Sequence, residues 1–371
     1  MDLKKFTCDN LGDVRNILNE YGVAILEDYF SDDYADQVFE EMKNWMIGLK
    51  IGLTKKENTW ISRNMPLGPR YGMYQSIVSN APIFWALREK FHPLFSTILQ
   101  NEELITSIDG ASVYPAQNVP VKKSTWAHID QTESSEFMCY QSQFIATDTN
   151  ASFVCTPKSH LHHKKILRMI GNTKPKKNWH KFSDGEVLKL VKIFGDEYQI
   201  PILAKKGSVI FWDSRTIHAA KYQETRDDTW RAVFYISMRP KQMFNDNDLK
   251  TVQTAVTEGL TTNHWATTIF KPFDRYNQKA PAVINLIRQS KSLSYVDKLT
   301  DVQSELIGLS KSSVEFLHNY IMELTDECII DENDNNSIKL ITKNTFLKKE
   351  LYKILAYLCL IKHKNKNNVE K

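Results

Sequence analysis

Gly207-Ser208-Val209-Ile210-Phe211-Trp212-Asp213-Ser214-Arg215-Thr216-Ile217-His218 reads as an apolar strand that opens into a turn and ends on a histidine. Thirteen residues later Arg231 starts a second strand, Arg231-Ala232-Val233-Phe234-Tyr235-Ile236-Ser237. A return of that length is expected to bring Arg231 back beside His218. Upstream, His128 is the only one of ten histidines followed two residues later by Asp. Residues one step apart on a strand project from the same face, so His128 and Asp130 can grip one metal ion, with His218 as a third ligand. Two histidines and one carboxylate on one side of a metal leave its other positions open, which suits non-haem Fe(II) oxygen chemistry. Arg231 adds an always-charged fork for a carboxylate, as an oxygenase using 2-oxoglutarate would need. A chance His-x-Asp on a solvated strand is the plain alternative; the order of the later residues weighs against it.

Outward from this stretch, residues 105–240 are strand-like. Ser112 to Tyr114, Phe137 to Thr147, Ser152 to Cys155, Ile200 to Leu203, Ser208 to Trp212 and Ala232 to Met238 are β-rich and separated by turn residues. The expected fold is α+β with a mainly β core: a double-stranded β-helix, or jelly roll. N-terminal helices flank it, with helix, strand and helix over 10–47, a long loop over 50–75, and a helix from Pro82 to Leu99. Residues 161–198 read as a helical, basic insertion carrying Lys164, Lys165, Arg168, Lys174, Lys176, Lys177 and Lys181. After 245 helical spacing returns in Ala282 to Ile287, Val302 to Leu309, Val314 to Leu324 and Phe346 to Ile361. The expected division is a domain over 1–245 and a helical extension over 246–371.

Composition is that of a globular chain, with 42% hydrophobic and 25% charged residues and a formal charge of +4 over 371 residues. That charge neither demands nor excludes a nucleic-acid partner. Five cysteines at irregular spacing, with no CxxC, indicate neither a disulfide framework nor a zinc cluster; a reducing, cytoplasmic setting is expected. The N-terminus lacks an apolar leader, and the longest greasy run, Ile354 to Ile361, is too short to span a bilayer, so no membrane partner is expected.

Thr125-Trp126-Ala127-His128-Ile129-Asp130-Gln131 resembles the iron-binding strand of phytanoyl-CoA dioxygenase-like proteins. Thr156-Pro157-Lys158-Ser159-His160 resembles that family's Pro-Gly-Ser-His turn, with Lys158 in place of the usual Gly. The segments around His218 and Arg231 resemble its distal histidine and oxoglutarate arginine, and Tyr21 to Trp45 its opening helix-strand-helix. The resemblance covers residues 15–240. Two departures stand out: an extra residue, Ala127, between Trp126 and His128, and Ala220 where relatives often carry a polar group. The resemblance implies that His128, Asp130 and His218 hold Fe(II). It implies that 2-oxoglutarate pairs with Arg231 and that O2 is consumed with release of succinate and CO2. Halogenating relatives have a small residue at position 130, so Asp130 implies hydroxylation.

Thr125, Gln143 and Tyr114 are further candidates for contact with oxoglutarate. Trp126, Gln131, Trp212 and Arg215 are candidates for the substrate pocket. For each, an ordinary packing role competes, and strand tryptophans are more often core. His160, His162 and His163 read as turn and helix-start residues, not a second metal site. A small-molecule substrate is expected. The basic segment 164–181 leaves nucleic acid or protein open as a target of the same chemistry. The residues also admit a non-catalytic jelly-roll binding module or a cupin-like metalloenzyme without oxoglutarate; Arg231 disfavours the second of these. Oligomeric state is not legible.

Overall fold

The computed structural model describes residues 3–61, 64, 74, 77–115, 126–132, 134, 136–149, 153–171, 179–220, 229–257, 262 and 299–309. Thr125, Lys174, Lys176, Lys177, most of 62–75 and the helices expected over 282–287, 314–324 and 346–361 lie outside them. The chain divides into two units, Met1–Leu309 and Ser310–Lys371. The first contains everything that follows.

Helix α1 (Leu11–Tyr21) starts where the Asn10 side chain accepts from the Gly12 N–H, and stops at Gly22, whose φ of 74° is the left-handed cap that glycine adopts without strain. Strand β2 (Val23–Leu26) follows at once and is wholly buried. Ser31 then caps helix α2 (Asp32–Gly48) by accepting from the Tyr34 N–H. Helix α3 (Pro82–Leu99) opens on a proline, which loses no hydrogen bond there.

The remaining strands are β1 (Thr7–Cys8), β3 (Leu104–Thr106), β4 (Ala111–Pro115), β5 (His128–Ile129), β6 (Tyr140–Ile145), β7 (Phe153–Thr156), β8 (His180–Lys181), β9 (Ile200–Ile202), β10 (Val209–Asp213), β11 (Ile217–Ala220) and β12 (Trp230–Pro240). They form two sheets. The larger runs β1-β2-β10-β6-β12-β3, with β4 also paired to β12; the smaller runs β8-β5-β11-β7-β9. Pairing is antiparallel throughout except between β1 and β2. This is the expected jelly roll, built as two sheets and not as a closed barrel.

Side-chain alternation divides the core into layers. On β12, Ala232, Phe234, Ile236 and Met238 join Phe84, Phe91 and Phe95 of α3. Val233 turns the other way and meets Ile145, Ile210 and Trp212 together with Phe153 and Cys155 of the smaller sheet. On the far side of that sheet, Ala127, Ile129 and Ile217 pack on Ile166, Phe182 and Leu190 of the insertion. Burying one such Phe or Ile contributes roughly 1.5–3 kcal/mol, so each layer is strongly specified. Val252 and Val256 of α6 (Asp246–Thr257) and Ile307, just past α7 (Asp301–Glu305), pack on Trp85, Ile105 and Ile108.

The turn expected after the strand at 208–212 is present: Ser214 to Thr216 carry the chain from β10 in the larger sheet to β11 in the smaller. Two local expectations change. Arg231 does not return on a strand next to that of His218, because β12 pairs with β3, β4 and β6 in the opposite sheet. The insertion is not purely helical: between α4 (His163–Met169) and α5 (Asp184–Phe194) it supplies β8, which pairs with the His128 strand.

Candidate metal centre

His128 and His218 are register partners on neighbouring strands β5 and β11. Their neighbours Ile129 and Ile217 face the insertion, so both imidazoles face the space between the sheets. Asp130 lies one residue beyond the short β5, its N–H donating to the Ser214 carbonyl at 3.2 Å. All three side chains are buried. His218 Nε2 is 3.3 Å from Asp130 Oδ2, and His128 Nε2 is 3.6 Å from Asp130 Oδ1. The three ligand atoms lie within 4.8 Å of one another, and this is the group among the described residues that could hold a metal ion.

The backbone sets the chemistry of both rings. His128 Nδ1 is 3.1 Å from the Trp126 carbonyl, and His218 Nδ1 is 2.9 Å from the Thr216 carbonyl. A carbonyl only accepts, so each Nδ1 carries the proton and donates. In the neutral ring each Nε2 then presents its lone pair toward the Asp130 carboxylate. Three lone-pair atoms converging in a dry interior call for a cation between them, and a second-sphere carbonyl behind each histidine is how protein metal ligands are oriented.

The turn that presents His218 is tightly built. Thr216 donates from Oγ1 to the Gly22 carbonyl at 2.9 Å. Ser159 Oγ donates to the Thr156 carbonyl at 2.6 Å and accepts from the Ile217 N–H at 2.8 Å. The Pro-Gly-Ser-His-like turn thus supports the distal ligand. Lys158 there adopts φ 61°, the left-handed conformation that glycine takes most readily.

Arg231 is almost fully buried on β12, opposite Tyr114 on β4. By alternation with Ala232 it faces the space between the sheets. Burial raises the Tyr114 hydroxyl to about 12, against the lowering pull of Arg231. Gln143 is buried on the same face, paired with Tyr235. Its Oε1 and the Nε1 of Trp212 have no hydrogen-bond partner among the described residues. Tyr235 is half-buried, with its hydroxyl 3.4 Å from Ser112 Oγ. Nothing in the spacing of the sequence singled it out.

The pocket candidates separate. Trp212 lies 5.5 Å from the His218 ring, centroid to centroid, and Phe153 5.7 Å. Trp126 stacks flat on His128 at 4.2 Å, so the extra Ala127 does not carry it away from the ligand. Gln131 holds its own loop: its Oε1 accepts from Ser214 Oγ at 2.7 Å, while its Nε2 donates to the carbonyls of Ser134 and Glu136. With its amide so occupied it supports the loop and not a substrate. Arg215 is clamped to buried Asp213 through Nε at 2.9 Å and a terminal nitrogen at 2.7 Å, which stiffens the turn before His218. Of the nearby histidines, His160 bonds the Asn19 carbonyl and His163 the Gln131 carbonyl. Gln141 was missed by sequence reasoning: its Nε2 donates to Asp130 Oδ2 at 3.0 Å from the opposite sheet.

No family model matches the chain. The Ava biosynthesis cluster protein O of Aspergillus versicolor is 24% identical over 279 residues, 70% of this chain and 89% of that protein. A candidate oxidoreductase of Salmonella typhimurium LT2 superposes with a TM-score of 0.52 at 12% identity, over 80% of this chain and 82% of its own. The epimerase SnoN, solved with Fe3+, alpha-ketoglutarate and nogalamycin RO, aligns more loosely, with a TM-score of 0.41 at 12% identity, over 62% and 83% of the two chains. The likeness to these solved structures is one of fold. No helix among the described residues is long and apolar enough to cross a membrane.

Proposed function

We propose that this protein is an Fe(II)- and 2-oxoglutarate-dependent dioxygenase that hydroxylates a small or medium organic molecule. The observation that carries the reading is the inward-facing His128, Asp130 and His218 set, with both Nδ1 atoms tied to backbone carbonyls. These three residues would hold the iron, and Arg231 would pair with the far carboxylate of the cosubstrate. Bound there, the two would supply O2 activation coupled to loss of CO2, leaving succinate.

The chain's own residues provide order and dryness. Trp212 and Phe153 wall the His218 ring, and a site shielded from water strengthens each charged contact within it. Arg231, buried on a central strand, gives a fixed two-pronged anchor. Tyr114 and Gln143 stand on the same face, and the unpartnered Gln143 Oε1 and Trp212 Nε1 are polar groups that a bound molecule would satisfy. The Asp130 carboxylate fills the position a halide would need, which favours hydroxylation. Thr125 is retained as a candidate contact from the family resemblance alone.

A small molecule fits better than a macromolecule. The insertion packs on the outer face of the smaller sheet through Ile166, Phe182 and Leu190, so its exposed Lys164, Lys165 and Arg168 stand behind the metal ligands. The naming of the Aspergillus relative for a biosynthesis cluster points the same way.

The test is an anaerobic titration of metal-free protein with Fe(II) and then 2-oxoglutarate. The expected result is a visible metal-to-ligand charge-transfer band that needs both additions and is lost in His218→Ala. In Arg231→Ala the band should require at least tenfold more oxoglutarate, the loss of one charge-assisted contact of roughly 1.5–3 kcal/mol. A folded, iron-binding protein that gives no band would overturn the proposal.

A further inference from the structure

We propose that Gln141 is the positioning residue for Asp130, holding the carboxylate in the one orientation that completes the three-ligand set. The inference rests on the metal-centre reading above.

Asp130 needs such a partner. It lies outside β5, and its backbone is tied to the turn at Ser214. A short side chain just past a two-residue strand is free to rotate about its first torsion unless something fixes its oxygens. Gln141 stands on better ground. It is in β6, paired on one side to Trp212 of β10 and on the other to Ser237 of β12, and it is buried. Its Nε2 reaches across to Asp130 Oδ2 at 3.0 Å, the same oxygen that lies 3.3 Å from His218 Nε2.

The amide has one permitted orientation. Turned over, it would place Oε1 against the carboxylate, two acceptors with no proton between them. Its Oε1 has no partner among the described residues, so nothing in them favours the flipped form. An amide is also the right kind of donor. A Lys or Arg in this place would neutralise the carboxylate and compete with a cation, whereas a neutral N–H fixes the oxygens and leaves the negative charge for the metal. Gln141 therefore links the two sheets at the metal ligand, through residues eleven apart in sequence.

The experiment uses Co(II) alone as the probe, added anaerobically to the metal-free full chain and read by calorimetry and by its visible d–d absorption. Wild type, His218→Ala, Gln141→Met and Gln141→Asn are compared. Methionine keeps the length and removes the donor; asparagine keeps the donor and is one methylene too short. Circular dichroism establishes that each is folded, and asparagine serves if methionine fails to fold. The expected result is Co(II) affinity reduced roughly 10–100-fold in both Gln141 variants, with an altered d–d envelope. Affinity within twofold of wild type and an unchanged spectrum in a folded variant would overturn the role of Gln141 while leaving the metal centre standing. Absence of Co(II) binding by wild type, or equal binding by His218→Ala, would overturn the metal centre and this inference with it.

Discussion

A methyl group added at Gly22 would sit 2.4 Å from His160 Nδ1 and 2.5 Å from Thr216 Oγ1, at a φ of 74°. Both partners belong to the metal site's support, because the Thr216 carbonyl orients His218. Gly22→Ala should therefore destabilise the protein by about 2–5 kcal/mol, the sum of left-handed strain and overpacking. It should also weaken metal binding although residue 22 touches no ligand; denaturant melts and a Co(II) titration check the two effects separately. At His160, burial holds the imidazole below its ordinary value of 6.5, against the raising effect of its bond to Asn19. The unfolded chain takes up a proton near 6.5 while the folded one resists, so this contribution to stability is complete above that pH and is lost as pH falls through and below it. Urea midpoints at pH 7.5 and 5.5 should differ more for wild type than for His160→Gln. The three residues that could hold a metal were legible in the sequence as a His-x-Asp pair followed by a distal His. Gln141 and Tyr235 were not, since each acts across a sheet-to-sheet or strand-to-strand contact that no local spacing encodes.

The elements show the same division. Runs within Phe137 to Thr147 and Ala232 to Met238 declared themselves as strands through their β-rich composition between turn residues, and both faces of each are buried. The turn between β10 and β11 was legible too, because Asp213-Ser214-Arg215-Thr216 is a polar run between apolar residues; that the chain changes sheets there was not. What makes the turn is hydrogen bonding: Ser214 donates its N–H to Cys139 and Thr216 its N–H to Asp213. Removing Ser159 Oγ would leave the Ile217 N–H buried without a partner at the start of β11. Ser159→Ala should thus lower stability by about 1–3 kcal/mol, measurable as a shift in urea midpoint at constant slope.

At the scale of the molecule, the smaller sheet supplies both histidines and the larger supplies Arg231 and the Gln141 bond to Asp130. A metal ion that binds the folded protein and not the unfolded one adds about 2.7 kcal/mol at a hundredfold excess over its dissociation constant. Thermal unfolding with and without Co(II) should show a rise of several degrees that His128→Ala abolishes. The smaller sheet also has an edge to defend. Its order ends in β8, a two-residue strand donated by the insertion and carrying the exposed Lys181. Without it, the backbone of His128 and Ile129 would become a free margin, open to pairing with another molecule, and a charged, very short strand is a common guard against that. The insertion thus bears on solubility as well as shape. A chain that had lost it would tend to self-associate through the strand that carries a metal ligand, so aggregation and loss of the metal would arrive together.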